Sequence, residues 1–276
     1  MGLGVTKFVR EVLASPHYRA KPAATLRYAY AKWTFRKFRR PEPELFLEDF
    51  GIDPLVAFEG FARWRRVLET AVSNIAKAGD GQGGISLQDG MVLYGLARAL
   101  QPDYVIETGV AAGASTSFFG AALIENGRGK LFSIELPAAE VTGATCEDGS
   151  RYEWRRKGVG WAVPMEVRRG LGNRCELILR DVRVGLPKLL ERLPYVDIFF
   201  HDDLHTPDHM RWEYELVWTK LRDGGVLASD DVNHGWIEFC EREGLGEEAL
   251  RNIDRLCMAR KSGFKSRERS RAAGAS

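Results

Sequence analysis

Two stretches of this chain end a run of strand-forming apolar residues with paired aspartates and place histidines just behind them: VDIFFHDDLHTPDH at residues 196–209 and GGVLASDDVNHG at residues 224–235. Carboxylates gathered at neighbouring strand ends repel one another unless a cation or protons neutralise them, and hard oxygen ligands suit Mg²⁺ or a similar divalent ion. Asp202, Asp230 and Asp231 are the candidate metal ligands. A neutral imidazole at His205, three residues after Asp202, could accept a proton from a nucleophile held there.

A second constellation lies upstream, in YVIETGVAAGASTSFFGAAL, where a strand meets a glycine turn and then a helix. Gly109 and Gly113 would let backbone approach a ligand closely, and N–H groups at the helix start would face its polar parts. The spacing is GxxxG, which departs from the GxGxxG dinucleotide fingerprint. Glu135, 28 residues after Glu107, stands where such folds place a carboxylate for ribose hydroxyls, and Asp181 could meet an adenine amino group.

These residues need a scaffold that brings strand ends together. DYVIETG, KLFSIEL, CELILRD, VDIFFHD and GGVLASDD are short, largely apolar runs separated by helical or loop segments. Strands buried on both faces read this way, and their alternation with helices implies right-handed crossovers. The expected fold is α/β, a Rossmann-like, mostly parallel sheet with helices on both faces and an N-terminal helical extension. Ligands bind such sheets at the carboxyl ends of the strands, where the acids fall. Helices are expected over residues 53–78, broken by GDGQGG, and through LQDGMVLYGLARALQ; RLCMARK reads as a final strand without an evident partner. The boundaries expected are a basic N-terminal helical extension over 1–80, the sheet domain over 81–262 and a basic, disordered tail over 263–276. The long segment between the second and third strands, near residues 140–170, reads as a lid or substrate loop.

At 276 residues and 45% hydrophobic content the chain can bury a sizeable core. Its net charge of +2 hides a segregation: residues 1–40 carry ten Lys/Arg against Glu11 alone, residues 255–276 seven against Glu268, and the middle is near −13. The basic ends suit either a solvated surface or peripheral contact with an anionic membrane, AATLRYAYAKWTFRKFRR interleaving aromatics with cations. No signal peptide or membrane span is read, and Cys146, Cys175, Cys240 and Cys257 lack CxxC spacing, which fits a cytoplasmic protein.

ETGVAAGAST, FSIEL, LILRDV, DIFFHDD and GGVLASDDV, five motifs in order across residues 85–235, resemble those of class I S-adenosylmethionine-dependent methyltransferases. Within that family the aspartates resemble the metal-dependent O-methyltransferases of catechol and natural-product sugar or macrolide type. The resemblance implies that Glu107, Gly109 and Gly113 contact the methionine part of S-adenosylmethionine and Glu135 its ribose. Ser115 and Thr116 at the helix start, and Asp181 near adenine, are further assignments. It likewise implies Asp202, Asp230 and Asp231 on Mg²⁺ and His205 as general base in the DxxH motif. Asp203 departs from the glycine common at its position.

The expected activity is metal-assisted O-methylation of a small-molecule acceptor, a sugar or other secondary metabolite. A nucleic-acid methyltransferase is disfavoured because no NPPY-like or DPPY-like motif follows the fourth strand. A nicotinamide-dependent oxidoreductase is disfavoured by the glycine spacing, and a non-catalytic scaffold by the intact set of acids. His209 makes an HxxxH pair with His205 but no Cys or Glu completes a structural zinc site; His201 and His234 read as structural, and Trp212, Tyr214 and Trp218 as helix packing. The N-terminal helices could form a homo-oligomer contact.

Overall fold

A computed structural model describes residues 22–79, 84–136 and 158–261. Most of the basic N-terminal run, residues 80–83 of the glycine-rich break, much of the expected substrate loop, Cys146 and the basic tail lie outside the described residues.

The five apolar runs are all strands: β1 (Tyr104–Thr108), β2 (Lys130–Glu135), β3 (Cys175–Leu179), β4 (Val196–His201) and β5 (Leu221–Ser229). They join β6 (Asn252–Ile253) and β7 (Leu256–Arg260) in one sheet of order β3-β2-β1-β4-β5-β7-β6. The first five pair in parallel, and β7 runs antiparallel between β5 and β6. RLCMARK therefore has the partners that the sequence did not reveal, β5 on one side and the two residues of β6 on the other. This is a Rossmann-like architecture, with the order reversing between β1 and β4.

Alternation along the strands divides the core. Val105, Phe200 and Ala228 pack into one apolar layer with α4 (Phe61–Ala78), α5 (Leu87–Leu100) and α6 (Ala114–Asn126). Ile106, Phe199 and Leu227 pack into the other with α8 (Val182–Arg192), α9 (Pro207–Lys220) and α10 (His234–Glu243). Neighbouring Phe199 and Phe200, both fully buried, thus fasten β4 to opposite layers, each burial stabilising by about 1.5–3 kcal/mol.

The N-terminal extension comprises α1 (Pro22–Lys37), α2 (Pro43–Glu48) and α3 (Pro54–Ala57). The single helix expected over 53–78 is two: the chain turns after Ala57, and α4 begins at Phe61 behind an N-cap Gly60 in left-handed conformation. The expected helix through LQDGMVLYGLARALQ is α5, capped by Ser86 accepting from the N–H of Asp89. α7 (Met165–Leu171) precedes β3. Among the described residues no helix is long and apolar enough to cross a membrane.

Candidate active site

The parallel register aligns the carboxyl ends that matter. Thr108 of β1 pairs with His201 of β4, and His201 with Ser229 of β5. The next residues continue the alignment, the N–H of Asp202 donating to the carbonyl of Thr108 and that of Asp230 to the carbonyl of His201, both at 2.9 Å. The glycine turn and the two acid pairs are consequently adjacent along one edge of the sheet.

Gly109 follows β1 with φ +81°, and a Cβ there would collide with the backbone carbonyl of Asp202. Gly113, at φ +93°, would collide with Val163. Residues 158–164 fold onto the turn, Gly160 N–H donating to Ala111 O at 2.7 Å and Ala162 N–H to Ala112 O at 2.9 Å. Glycine is needed here because two other segments pass within contact distance.

Below the turn, Glu107 is fully buried and accepts hydroxyl hydrogen bonds from Ser115 at 2.8 Å, Thr116 at 2.5 Å and Ser133 at 2.6 Å. Burial raises its pKa against the pull of those three donors. Ser115 and Thr116 thereby brace Glu107 at the start of α6. Glu135, at the end of β2, directs one carboxylate oxygen to the N–H groups of Val110 and Ala111, each at 2.7 Å, and the other to Leu136 N–H at 2.9 Å. Burial raises its pKa as well, opposed by the three backbone donors. Asp181 is exposed and caps α8, accepting from Arg183 N–H at 2.7 Å.

Asp230 is 1% exposed, and neither of its carboxylate oxygens has a hydrogen-bond donor. The nearest cation is Arg255, from the turn between β6 and β7, with Nη2 3.1 Å from Asp230 Oδ2 and Nη1 2.9 and 2.8 Å from the two oxygens of Asp231. Burial pushes the Asp230 carboxyl up to about 7, with Asp231 adding to the rise and Arg255 opposing it. Asp202 is likewise raised, first by burial and then by Asp230 and Asp231. His205 Nε2 lies 3.7 Å from Asp202 Oδ1 and is buried without a hydrogen-bond partner. Burial, and then His201, lower its pKa to about 4, so the imidazole is neutral near pH 7.

Behind this floor lies a second polar group. His201 Nδ1 stands 2.6 Å from Glu213 Oε2, which also accepts from the Thr108 hydroxyl at 2.9 Å. His209 Nε2 stands 3.1 Å from Asp203 Oδ2. Burial opposes a proton on His209, yet Asp203 and Glu213 outweigh it and lift its pKa to about 10. His209 therefore joins His201, Asp203 and Glu213 rather than His205. Trp212 carries the Arg183 guanidinium on its ring, whereas Tyr214 and Trp218 are buried in the core as expected.

Residues 106–232, which contain every residue of the glycine turn and both acid pairs, match the family model described as a methyltransferase domain. That match covers a little under half of the chain. Among solved structures the chain is similar to cofactor-bound Rv0187 from MTB, at 22% identity over 60% of this chain and 65% of that one, with a TM-score of 0.44. It is also similar to the O-methyltransferase TomG of Streptomyces achromogenes, solved with SAM, at 18% identity over 71% and 90% with a TM-score of 0.48. CalS11, a TDP-rhamnose 3'-O-methyltransferase of calicheamicin biosynthesis, gives 22% identity over 62% and 78% with a TM-score of 0.44. The chain spans 65% of the length of the Rv0187 structure. No curated protein matches it.

Within the matched segment, sequence reasoning missed Ser133 and Glu213, and just beyond it Arg255. Ser133 follows Phe132 in β2, so alternation alone placed its side chain on the opposite face, and its pairing opposite Glu107 in the β1–β2 register was the available signal. No local pattern marks Arg255, since only the β5–β7–β6 pairing carries its turn to the acids.

Proposed function

We propose that this chain transfers a methyl group from S-adenosylmethionine to a hydroxyl of a small acceptor, a sugar or other secondary metabolite, with a divalent cation at Asp202, Asp230 and Asp231. The observation that supports the reading is the group of aspartates around Asp230, whose two buried oxygens lack a hydrogen-bond partner and face Arg255 at 3.1 Å. Asp202, Asp230 and Asp231 do not bring one oxygen each within 4.8 Å of the others, so an ion would have to draw them together. A buried carboxylate is costly unless paired or coordinated, and an all-oxygen donor set fits Mg²⁺. The place of the glycine turn supports the cofactor reading, since it joins the carboxyl end of β1 to the N-terminus of α6 at the edge of the sheet where such folds bind ligands.

When bound, S-adenosylmethionine supplies an electrophilic methyl sulfonium, and a divalent cation lowers the pKa of an alcohol beside it. Glu107, held by three hydroxyls, and Glu135, at the turn, position the methionine and ribose ends of the cofactor. Asp202, Asp230 and Asp231 fix the hydroxyl's position, which converts an encounter into an oriented displacement. His205 would take the hydroxyl proton at Nε2, the sulfonium of a bound cofactor being the methyl donor. The working domain is residues 81–262, in the cytoplasm, with acceptor contacts from the extension and the segment before α7.

Calorimetric titration of S-adenosylmethionine with Mg²⁺ and with chelator tests this reading. Micromolar cofactor binding, together with a Mg²⁺ site lost in Asp230→Asn, is the expected result; no cofactor binding in any condition overturns it. A second reading is favoured by Arg255, whose guanidinium already neutralises Asp230 and Asp231: transfer then proceeds without a metal, and chelator leaves turnover unchanged.

A further inference from the structure

Among the described residues, one set of three His, Cys, Asp or Glu side chains brings a ligand atom from each within 4.8 Å of the others: His201, Asp203 and Glu213. It shares no residue with the aspartates of the candidate active site. His209 closes the set into a ring. His201 Nδ1 lies 2.6 Å from Glu213 Oε2 and 3.3 Å from Asp203 Oδ1, and His209 Nε2 lies 3.1 Å from Asp203 Oδ2 and 3.5 Å from Glu213 Oε1.

Chain geometry gathers these residues deliberately. His201 ends β4, Asp203 lies in the loop that also bears Asp202, and His209 and Glu213 are one turn apart on α9. His201 and Glu213 are completely buried and His209 is 3% exposed. Glu213 Oε1, which faces His209 in the ring, is buried with no hydrogen-bond partner.

Ligand bonds of 2.0–2.1 Å in a tetrahedron put neighbouring donor atoms about 3.3 Å apart. His201 Nδ1 and Asp203 Oδ1 already have that spacing at 3.3 Å and His201 Nδ1 and Glu213 Oε2 are closer, at 2.6 Å, whereas His209 meets the other oxygen of each carboxylate and stands outside the set of three. One neutral imidazole and two carboxylates also balance a dication, which is what a buried site requires. Mixed nitrogen and oxygen donors select a first-row transition metal or zinc over Mg²⁺.

We propose that His201, Asp203 and Glu213 form a three-ligand site for a dication of the zinc type, with His209 beside it, separate from Asp202, Asp230 and Asp231. Its ligands join the end of β4, the loop carrying Asp202 and His205, and the first turns of α9, so the ion would pin the loop that carries the proposed base. The rival occupant is a pair of protons, one on each imidazole, which makes the ring an ion-pair network only.

The test is equilibrium dialysis of chelator-stripped, full-length protein against Zn²⁺ in excess Mg²⁺, with metal content and the visible spectrum of the Co²⁺-loaded protein as readouts. Neither depends on methyl transfer. Expected are one Zn²⁺ per chain, tetrahedral Co²⁺ bands, and at least a tenfold loss of Zn²⁺ affinity in Glu213→Gln and Asp203→Asn, with Asp230→Asn unaffected. Should Glu213→Gln fail to fold, Asp203→Asn decides, its side chain being 17% exposed on a loop. Absence of stoichiometric Zn²⁺, or a Zn²⁺ site lost in Asp230→Asn and kept in Asp203→Asn, overturns the proposal in favour of the ion-pair network.

Discussion

Arg255 grips both carboxylate oxygens of Asp231 with one guanidinium nitrogen, at 2.9 and 2.8 Å, and reaches Asp230 with the other. A side chain from the far antiparallel turn thus supplies positive charge where the three aspartates would otherwise repel one another. A cation entering this site must compete with it. Arg255→Ala is expected to bind Mg²⁺ about tenfold more tightly, about 1.4 kcal/mol, by calorimetry. In chelator the same variant should melt several degrees lower, and added Mg²⁺ should recover most of the difference.

The Asp230 carboxyl, raised to about 7 from 3.8, gives the metal-free protein a definite pH response. The folded state holds this proton more tightly than the unfolded chain, so the group's contribution to stability is present below pH 4 and is lost as pH rises towards 7. Asp230→Asn removes the ionisation. In chelator it should be more stable than the parent at pH 8, by on the order of 2–4 kcal/mol, and nearly equal to it at pH 4. Urea unfolding at the two pH values measures this.

Gly109→Ala should be among the most damaging single changes in the turn. It places a Cβ in the left-handed region and against the Asp202 carbonyl, so loss of about 2–4 kcal/mol in urea unfolding is expected. Gly127→Ala, with positive φ but open space around it, should cost less.

Glu135→Gln tests the ribose assignment. The amide oxygen can still accept from Val110 and Ala111 while its NH2 faces the Leu136 N–H, so a stability loss of about 1–3 kcal/mol is expected, and S-adenosylmethionine affinity of the folded variant should fall about tenfold in calorimetry. Unchanged affinity would remove Glu135 from the cofactor site.

The β-layer was legible because parallel strands covered on both faces must be apolar throughout, and VDIFFH is buried at all six positions. The acids stood out against those runs for the same reason. β7 was readable as a strand but not as the neighbour of β5, because pairing through a two-residue β6 leaves no periodic signal. Glu213 looked like any acid on a helix; what buries it is the tertiary approach of His201 and Thr108, which no spacing on α9 encodes. The break at Gly60 was hidden because apolar residues on both sides of it continue a helical repeat.

The sheet has two unlike rims. At β6, Asn252 is tied to the extension on either side of Arg39: its N–H donates to Phe38 O, its carbonyl accepts from Arg40 N–H, and its side chain donates to Phe35 O. The extension therefore works as a selvedge, sealing hydrogen-bonding groups that a bare margin would offer to another chain. At the opposite rim β3 shows Leu177 and Leu179 half exposed. Among the described residues, the hazard of strand-to-strand association is closed off at the finished margin of β6.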